Sequence, residues 1–578
     1  MSLPDWLNPE KIIPISRGST TVFKTGTWSG NRPEHREKTS PCRAACPAGN
    51  NIPDALFAAS QGNFDDALSA FLEESPLPGV CGSVCYHPCE TYCNRDKWDG
   101  SVHIRTLERA AADYGNAIPI PLANSGERYP VAVVGSGPAG LSAAYHLARM
   151  GHPVSVIEAR DEAGGLLRFA IPLYRLPQGV FQKDLKRILS LGISINTGEK
   201  VGTKKLEEIR AKSSAVFIAS GAQRSIKAEI PGLDLEGVLP GLDFLQKVRR
   251  SVLTELPGKV VVIGGGNVAV DAARSARRLG ADKVEVVCLE QRGDMPAHER
   301  EWSDALEEGI LFHYGWGPKR FLGKRSRASR VEFAGCTSVF DSKGRFSPSY
   351  EEDESLMLDA DWVILAIGQV PDISPYRASP LAERGFVQTD PITLATTWEG
   401  VFSGGDFVTG PRSVVEAIAA GKRAALSIHC YTLGKPFSEA EERTLLGDGP
   451  GFSIHSFFHP REGWDPKSVV RFEDIESLCL DQEARRSLGR LSPVERTTGF
   501  HEVDIPLDLR EAVQQAGRCF FCGTCTGCDR CFLYCPEVSL LPPDENCSFY
   551  RADDAFCKGC AVCAAVCPRG VMTMGEVK

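Results

Sequence analysis

The chain ends in two copies of one cysteine pattern, and this pattern restricts what the last part of the chain can fold into. Each copy reads C-x2-C-x2-C-x3-C-P. This spacing binds two [4Fe–4S] clusters, because three thiolates of one loop ligate one cluster while the fourth cysteine of the run ligates the other. A zinc ribbon is the alternative, and two identical crossing runs disfavour it. The predicted ligands of the first cluster are Cys525, Cys528, Cys531 and Cys567, and those of the second are Cys557, Cys560, Cys563 and Cys535.

The length and composition are those of a globular protein with several domains. The chain has 578 residues, of which 42% are apolar and 24% are charged. Its apolar runs are too short to cross a bilayer, and its first residues lack the apolar segment of a secretory signal. The 21 cysteines, most of them in metal-ligand spacing, are typical of a reducing compartment, so we expect a cytoplasmic protein. The net charge of −9 argues against a nucleic-acid partner.

Two dinucleotide-binding fingerprints lie in the middle of the chain. In each, an apolar strand runs into G-x-G-x-x-G/A and then into a helix of small residues. The first glycine makes the turn, the second lets the backbone approach a pyrophosphate, and the third position lets helix and strand pack closely. Two such fingerprints in one chain predict two nucleotide sites. Their residues are Gly135, Gly137, Pro138, Ala139 and Gly140 in the first and Gly264, Gly266, Asn267, Val268 and Ala269 in the second.

The strands that follow the fingerprints carry further candidate ligands. Glu158 ends the strand after the first fingerprint and is placed to bind a ribose hydroxyl, with Ala159 and Arg160 beside it. Gly221 and Gly368 each end a buried strand, one in each fold. Neither nucleotide-binding segment contains a C-x-x-C pair, so we do not expect thiol–disulfide exchange.

The arrangement resembles the two-dinucleotide flavoprotein group that contains the glutamate synthase small subunit and its electron-transferring relatives. The resemblance extends roughly from Pro41 to Leu433 and includes G-G-L-L-R-F-A-I-P-x-x-R-L-P, which begins at Gly164, and Met295-Pro-Ala. It implies that the first fold binds FAD and that the second, inserted fold binds NAD(P)H. It also implies that Asp406 holds the ribityl or phosphate end of the flavin, whereas capping a helix is the alternative role of Asp406. The further cofactor-binding residues that it implies are Gly165, Leu166, Arg168, Gly405, Ser413 and Val414.

The strand after the second fingerprint bears on the choice of pyridine nucleotide. In relatives that use NADP, this strand usually ends in an arginine pair suited to a 2′-phosphate, whereas here it ends in Cys288-Leu-Glu290-Gln-Arg292. A carboxylate at Glu290 would accept hydrogen bonds from a free 2′-hydroxyl and repel a 2′-phosphate, so NADH is favoured. Two alternatives stay open: Arg292 could turn inward to meet a phosphate, and Glu290 could be an ordinary exposed residue.

A second group of cysteines precedes the first fingerprint and resembles the iron–sulfur domain of the same family. The shared motifs are P-C-R-A-A-C-P, which starts at Pro41, and C-E-x-x-C. The resemblance maps a flavin-proximal cluster to Cys46, Cys85, Cys89 and a side-chain oxygen of Glu108. Family members carry two further upstream cysteines and residues 1–41 contain none, so the sequence is compatible with one or two clusters here. The cysteines left without a complete ligand set are Cys42, Cys81 and Cys93. Cys519 and Cys522 extend the C-x2-C rhythm of the C-terminal repeat without an obvious cluster.

These motifs predict a multidomain α/β chain. A helical iron–sulfur domain precedes two Rossmann-like domains of the two-dinucleotide flavoprotein type, and a bacterial ferredoxin-like domain follows them. The linker before the ferredoxin-like domain is turn-rich, with a short helix from Leu507 to Gly517. The expected bounds are 1–125 for the helical domain, 126–250 and 370–436 for the discontinuous FAD-binding domain, 251–369 for the NAD(P)H-binding domain, 437–515 for the linker and 516–578 for the ferredoxin domain.

This combination of sites predicts an electron-transfer subunit. NADH delivers two electrons as a hydride and iron–sulfur clusters accept one each, so a flavin is needed between them. We expect an FAD-dependent NAD(P)H:acceptor oxidoreductase in a hetero-complex, with no side chain that acts as an acid or base. By resemblance, its partner is a sulfite reductase, a 2-oxoacid or aldehyde oxidoreductase, or a ferredoxin. The alternatives are an electron-bifurcating NAD(P)H:ferredoxin transhydrogenase subunit, a glutamate synthase small subunit, which normally lacks the C-terminal extension, and a non-catalytic scaffold.

Overall fold

A computed structural model of the chain shows several groups of helices and sheets. The fold is multidomain α/β, as the sequence predicts. None of the described helices combines the length and the apolar composition that crossing a membrane requires. The N-terminal residues on which the signal-sequence expectation depends lie outside the described residues. The structure describes residues 24–122, 128–382, 387–477, 480–544, 547 and 549–576.

Two short strands and six helices form the first described part of the chain. They are the strands Asn31–His35 (β1) and Glu37–Thr39 (β2) and the helices Pro41–Ala45 (α1), Ile52–Ser60 (α2), Phe64–Leu72 (α3), Pro78–Val84 (α4), Pro88–Thr91 (α5) and Ile104–Tyr114 (α6). The helices share one apolar core, in which Phe71 and Leu77 are fully buried. The strands pair with late parts of the chain instead: β1 runs antiparallel to the last strand, so that Asn31 lies opposite Glu576.

The first fingerprint opens a parallel α/β fold. Its first elements are the strands Val131–Val134 (β3), Val154–Ile157 (β4), Ser194–Asn196 (β5), Ala215–Ile218 (β6) and Arg224–Ser225 (β7) and the helices Pro138–Arg149 (α7), Leu166–Phe169 (α8), Gln178–Leu189 (α9) and Thr203–Lys212 (α10). Every residue of β3 and β6 is buried. Such continuous apolar runs are typical of parallel strands that helices cover on both faces.

The second fingerprint opens a similar fold, inserted after β7. Its elements are the strands Val238–Pro240 (β8), Lys259–Ile263 (β9), Lys283–Cys288 (β10), Leu311–Tyr314 (β11), Trp316–Lys324 (β12), Arg327–Phe340 (β13), Phe346–Asp359 (β14), Trp362–Leu365 (β15) and Gln369–Val370 (β16) and the helices Gly241–Arg249 (α11), Asn267–Arg278 (α12) and Glu299–Glu307 (α13). The parallel sheet has the strand order β11-β10-β9-β15-β8, and β12, β13 and β14 form a separate antiparallel sheet. Strands β7 and β16 pair where the chain passes between the two folds.

The chain then returns to the first fold and completes its sheet. The returning elements are the strand Val401–Ser403 (β17) and the helices Asp406–Thr409 (α14) and Val414–Thr432 (α15). Strand β17 pairs with β6, which gives the order β17-β6-β3-β4-β5. Helix α15 crosses α7 very closely, because a β-carbon on Gly421 would lie 2.0 Å from the carbonyl oxygen of Ala139. The close crossing fixes the start of α15 against the first fingerprint.

The segment after α15 is folded against the rest of the chain. Its elements are the helices Phe437–Thr444 (α16), Ile454–Phe458 (α17), Pro493–Arg496 (α18) and Leu509–Gly517 (α19) and the strand Trp464–Val469 (β18), which pairs with β2. Helix α19 corresponds to the short helix that the sequence predicts, and Asp508 is its N-terminal cap. Glu502 and Asp504 tie the segment to α6 by ion pairs, at 2.8 Å from Arg109 and 2.9 Å from Arg105.

Short elements and loops make up the C-terminal part of the chain. They are the helices Arg530–Leu533 (α20) and Val562–Ala565 (α21) and the strands Leu540–Leu541 (β19), Arg551–Ala552 (β20) and Met572–Glu576 (β21). The two helices each carry the third cysteine of one run. Strand β21 pairs with β1 along all five of its residues, which attaches this part to the N-terminal strand.

Candidate functional site

One cavity of about 1350 Å³ extends between the two nucleotide-binding folds. It is lined by both fingerprints, by the ends of the parallel strands and by the start of α15. A crevice at the carboxyl ends of parallel strands is the usual ligand site of such sheets. Most of the predicted cofactor-binding residues meet in its wall. They are Gly135, Gly137, Pro138, Ala139, Glu158, Ala159, Arg160, Gly165, Leu166, Gly221, Gly264, Gly266, Asn267, Val268, Glu290, Gly368, Asp406, Ser413 and Val414.

The first fingerprint has the shape that a pyrophosphate needs. Gly135 has a φ of 101°, a conformation that side chains disfavour, and a β-carbon on Gly140 would lie 1.9 Å from the Gly135 carbonyl oxygen. A β-carbon on Gly137, in contrast, would meet no atom within 4 Å. This open space lies at the N-terminus of the twelve-residue helix α7, where backbone N–H groups and the helix dipole stabilise negative charge. The residues present therefore fit the diphosphate of FAD.

The carboxylate of Glu158 is held in place at the end of β4. Its Oε2 accepts a hydrogen bond from the backbone N–H of Ser136 at 2.9 Å, and its Oε1 accepts one from the N–H of Arg160 at 2.9 Å. Glu158 is buried and lines the cavity next to Ala159. Two backbone anchors orient the carboxylate before any ligand arrives, as ribose recognition requires.

Asp406 lines the same cavity. Burial raises the pKa of Asp406 to about 6, and a hydrogen bond from the backbone N–H of Arg412, at 3.1 Å, partly offsets this rise. The nearby helix α15 begins with a capping box, in which Ser413 and Glu416 satisfy each other's backbone N–H groups. Asp406 and the start of α15 thus present polar groups to the cavity on the side of the first fold.

The second fingerprint repeats the arrangement for a second nucleotide. Gly264 has a φ of 134°, and a β-carbon on Gly266 would meet no atom within 4 Å. Helix α12 starts at Asn267, whose Oδ1 accepts the backbone N–H of His298 at 3.0 Å. The side chain of Glu290 lies over this loop, since its Oε2 would be 2.5 Å from a β-carbon on Gly265. The arrangement fits NAD(P)H, with the Glu290 carboxylate at the nucleotide site.

Five predicted residues lie outside the cavity wall that the described residues form. They are Gly140, Ala269, Gly405, Arg168 and Arg292. The first two allow helix and strand to pack closely, and Gly405 packs against the first fingerprint. The guanidinium of Arg168 donates to the carbonyl oxygen of Ala163 and pairs with Glu162, both at 2.7 Å. The Arg292 guanidinium lies 5.5 Å from the ring centroid of Trp302.

Sequence reasoning did not assign Arg175 and Asp271, which also line the cavity. The Arg175 guanidinium pairs with Asp271 at 2.8 Å and with Glu301 at 2.9 Å. Burial opposes the charge on Arg175, but these carboxylates hold its pKa well above the usual value. The signal was present, because Arg175 belongs to the motif that begins at Gly164 and Asp271 lies one turn into the helix after the second fingerprint.

A group of cysteines lies directly behind the cavity. Helix α4 contributes Cys81 and is followed at once by Cys85, whose backbone N–H donates to the carbonyl oxygen of Cys81 at 2.9 Å. Burial raises the pKa values of both thiols, and the nearby Glu108 carboxyl and Cys46 thiol raise them further. Cys89 is buried beside Cys46 and Cys85. The structure thus brings together the predicted set of Cys46, Cys85, Cys89 and Glu108, and adds Cys81 to it.

Glu108 is held inside this group as an oxygen donor. Its Oε1 accepts a hydrogen bond from Nδ2 of Asn50 at 3.0 Å, and burial raises its pKa well above the usual value. The sequence analysis places Cys81 with Cys42 and Cys93, among the cysteines that lack a complete ligand set. In the structure Cys81 instead lies near Glu108. Cys42 and Cys93 lie close to each other and to Cys519.

The C-terminal cysteines surround two small cavities in the crossing arrangement that the motif predicts. Each cavity is lined by the first three cysteines of one run and the fourth cysteine of the other. The first has Cys525, Cys528, Cys531 and Cys567, and the second has Cys557, Cys560, Cys563 and Cys535. Four thiolates around one cavity are the ligand set of a [4Fe–4S] cluster. No three or more His, Cys, Asp or Glu side chains within the described ranges are grouped so as to hold a single metal ion.

Comparison with known proteins gives matches over both the nucleotide-binding and the N-terminal cysteine regions. Residues 129–421 match the pyridine nucleotide-disulphide oxidoreductase family, and residues 36–118 match dihydropyrimidine dehydrogenase domain II, 4Fe-4S cluster. The NADP(+)-dependent formate dehydrogenase subunit beta of Moorella thermoacetica is 35% identical over 518 residues, which cover 84% of this chain and 70% of that protein. The NADPH-Fe(3+) oxidoreductase subunit beta of Geobacter sulfurreducens is 34% identical over 526 residues, which cover 84% and 75%. The NADPH glutamate synthase small chain of Azospirillum brasilense is 33% identical over 423 residues, which cover 68% and 86%.

These matches confirm the resemblance to the glutamate synthase small subunit and its relatives. The protein is an FAD-dependent NAD(P)H oxidoreductase with a 4Fe-4S domain, and the three relatives are each named as a subunit or chain of an oxidoreductase, a dehydrogenase or a synthase. A partner is therefore implied for this chain as well. The chain belongs to the pyridine nucleotide-disulphide oxidoreductase family, among the iron–sulfur flavoproteins related to the glutamate synthase small chain.

Proposed function

We propose that this chain passes electrons between NAD(P)H, with NADH favoured, and a separate redox enzyme or ferredoxin. When bound, FAD supplies the conversion between hydride chemistry and one-electron chemistry, and [4Fe–4S] clusters carry single electrons. The residues of the chain itself hold both nucleotides in one cavity and set cysteine thiolates beside it.

The junction between the cavity and the N-terminal cysteines carries this proposal. Val84 and Tyr86 both line the cavity, and Cys85 lies between them in the sequence. The Cys85 Sγ accepts a hydrogen bond from the backbone N–H of His87 at 3.3 Å, and this bond restricts the orientation of the Cys85 side chain. A predicted cluster ligand is thus one residue from the wall of the flavin cavity.

Helix α4, which carries this junction, is anchored to the first nucleotide-binding fold. The carboxylate of Asp184, on α9, accepts the backbone N–H of Val80 at 2.9 Å and pairs with Arg187 at 2.9 Å. Asp184 is completely buried, and burial raises its pKa to about 7 despite these contacts. This anchor fixes the distance between the cysteine group and the cavity, which electron transfer requires.

The C-terminal cysteine groups are suited to exchange electrons with a partner. Cys528 and Cys560 are exposed, so each of the two groups reaches the protein surface. The C-terminal extension argues against glutamate synthesis as the role of this chain. A sulfite reductase, a 2-oxoacid or aldehyde oxidoreductase, or a soluble ferredoxin is the partner that we infer.

NADH is the favoured donor because of two side-chain positions. The Glu290 carboxylate lies over the glycine loop of the second fingerprint, where it would repel a 2′-phosphate. Arg292 is exposed and lies against Trp302, outside the cavity wall. In this position the Arg292 guanidinium does not line the cavity, so it does not offset the charge of Glu290 there.

Anaerobic reduction of the full chain tests the proposal. NADH is expected to bleach the flavin absorbance and to reduce methyl viologen catalytically, and NADPH is expected to do so less efficiently. A matched reaction with NADH and flavin-depleted protein controls for direct reduction of the dye. Absence of both bleaching and dye reduction would refute an oxidoreductase role, and a higher kcat/KM for NADPH would refute only the preference for NADH.

A further inference from the structure

Four of the cysteines that have no place in the ligand sets described so far come from two distant segments of the chain. Cys42 lies one helical turn before Cys46, and Cys93 lies just after α5. Cys519 and Cys522 lie between α19 and the first C-terminal cysteine run. The two pairs come from opposite ends of the chain, so nothing in the sequence connects them.

The structure brings the two pairs together through hydrogen bonds from the segments beside Cys42 and Cys93. The Nδ2 of Asn94, the residue after Cys93, lies 3.5 Å from the Cys522 Sγ and 3.1 Å from the carbonyl oxygen of Val470. The backbone N–H of Lys38 donates to the carbonyl oxygen of Gly523 at 3.0 Å. The 519–523 loop is therefore fixed against both the segment before α1 and the segment after α5.

A second set of contacts holds the same loop from the other side. Arg95 lies 5.0 Å from the ring centroid of Phe520 and donates to the carbonyl oxygen of Arg518. Phe521 packs edge-on against Phe57 of α2, with ring centroids 5.3 Å apart. These contacts leave the loop little freedom, so its two thiols have defined positions.

The four thiols lie close to one another, with Cys93 and Cys519 partly exposed. Cys42 and Cys522 are at least nine-tenths buried, and Ser40 Oγ lies 3.2 Å from the Cys42 Sγ. Burial raises the pKa of each thiol, and the neighbouring thiols add to the rise: Cys93 and Cys519 at Cys42, and Cys42 and Cys93 at Cys522. All four are free thiols.

We propose that Cys42, Cys93, Cys519 and Cys522 bind a further [4Fe–4S] cluster, in which the C-terminal pair supplies the two ligands that the N-terminal segment lacks. Four cysteine thiolates complete such a ligand set. The burial of these thiols and the hydrogen bonds to their sulfur atoms are the features that tune the potential of such a cluster.

This site lies between the two regions that already have ligand sets. On one side, Cys42 is close to the buried thiol of Cys89, which belongs to the flavin-proximal group. On the other side, Arg569 donates to the carbonyl oxygen of Phe520 at 2.8 Å and lines the C-terminal cavity that contains Cys528. The site thus lies between the N-terminal and C-terminal groups, and the Arg569 cation lies near thiols of the proposed site and of the C-terminal group.

Iron and sulfide analysis of the full chain tests this inference without any turnover. Anaerobically purified or reconstituted protein is expected to contain about sixteen iron and sixteen sulfide per chain, because four cluster sites are then filled. The variant with Cys519→Ala and Cys522→Ala is expected to contain about twelve of each, with its FAD content unchanged. Cys336→Ala is the matched control, because this buried cysteine lies in β13, and it is expected to leave all sixteen.

Native mass spectrometry of the unmodified chain provides a second measurement, should the double variant fold poorly. The expected mass is that of the chain with FAD and four clusters. A count of three clusters, zinc in place of iron, or an unchanged iron content in the double variant would overturn the inference. Because these counts require no NAD(P)H oxidation, their failure is distinguishable from failure of the proposed function.

Discussion

At the scale of single residues, Glu290 is the residue on which the proposed preference for NADH rests. Its carboxylate lies over the glycine loop of the second fingerprint, close to the position of a β-carbon on Gly265. A carboxylate here favours a ribose with a free 2′-hydroxyl, because a 2′-phosphate would bring two negative charges together.

Replacing Glu290 by glutamine is expected to reduce the preference for NADH. The substitution keeps the shape of the side chain and removes its charge, so kcat/KM for NADPH relative to NADH should rise by roughly tenfold, equivalent to about 1.4 kcal/mol. Steady-state kinetics with methyl viologen as acceptor measure this ratio. Asp282→Asn is the control, since Asp282 is exposed and lies outside the cavity wall. An unchanged ratio in the Glu290 variant would contradict the electrostatic explanation.

A pair of buried histidines makes stability depend on pH. Nε2 of His152 lies 2.9 Å from Nδ1 of His429. Burial, together with His152 and Lys435, lowers the pKa of His429 from 6.5 to about 4. The unfolded chain then binds the proton more tightly than the folded chain. The contribution of neutral His429 to the free energy of unfolding is complete above pH 6.5 and is lost as the pH falls towards 4.

His429→Leu is expected to weaken this pH dependence. In the unsubstituted chain the free energy of unfolding should fall by about 1 kcal/mol between pH 7.5 and pH 5.5 because of His429. Over this range the histidine gains a proton in the unfolded state and stays neutral in the folded state. Thermal unfolding at the two pH values measures the difference, which the variant should narrow. His459→Gln, at an exposed position, serves as the control and should leave the difference as it was. An equal narrowing in both variants would rule out the His152–His429 pair as the cause.

At the scale of elements, the pairing of β1 with β21 ties the C-terminal part of the chain to its N-terminal strand. Strand β1 runs antiparallel to β21 over all five residues, from Asn31 opposite Glu576 to His35 opposite Met572. Each strand is therefore an edge strand without the other, with unpaired backbone groups.

A chain that begins at residue 37 is expected to lose protection from amide exchange in β21. Removal of β1 leaves the N–H groups of β21 open to water, so their exchange should become at least tenfold faster, a change of about 1.4 kcal/mol or more in local opening. Hydrogen-exchange mass spectrometry of Met572–Glu576 gives the measurement. Strand β3 in the first nucleotide fold is the internal control. Unchanged exchange in β21 would show that the pairing contributes little.

The sequence predicts the nucleotide-binding elements well because their signal is local. Val131–Val134 and Lys259–Ile263 are apolar runs that lead directly into glycine loops, so strand, turn and helix follow from one short segment. The crossing of Cys535 and Cys567 is predictable for the same reason, since the spacing within each run encodes it.

The remaining features depend on contacts between distant parts of the chain. The sequences of Asn31–His35 and Met572–Glu576 contain no pattern that predicts their pairing. The spacing of Cys519 and Cys522 likewise does not predict that Cys42 and Cys93 lie near them. The position of Cys81 beside Glu108 likewise follows from how α4 packs on α6. Periodicity and spacing describe neighbours along the chain, whereas these contacts are set by tertiary packing.

At the scale of the whole molecule, Asp504 joins three regions. Its carboxylate pairs with Arg105 of the N-terminal helices at 2.9 Å, with Arg300 of the second nucleotide fold at 2.6 Å and with Arg490 of its own segment at 3.2 Å. Three guanidinium groups share one carboxylate, so the charge of Asp504 offsets part of their mutual repulsion.

Asp504→Asn is expected to loosen the segment that contains it. The asparagine keeps the shape but leaves three arginines without their common partner, which should cost about 1–2 kcal/mol because the site is partly exposed. Limited proteolysis should cut the segment between residues 480 and 508 sooner, and thermal unfolding should begin at a lower temperature. Glu442→Gln removes an exposed ion pair with Lys467 and is the control. Identical proteolysis of the two variants would show that the ion pairs of Asp504 do not hold the segment in place.

The pairing of the first and last described strands also has a consequence for biosynthesis. Asn31–His35 leaves the ribosome long before Met572–Glu576 is translated, and domains generally fold in the order in which they emerge. The N-terminal strand must therefore wait for its partner until Met572–Glu576 has been translated. A chain truncated by premature termination would expose this unpaired edge, which quality-control proteases can recognise. Synthesis of Met572–Glu576 is thus a requirement for the N-terminal strand to reach its folded state.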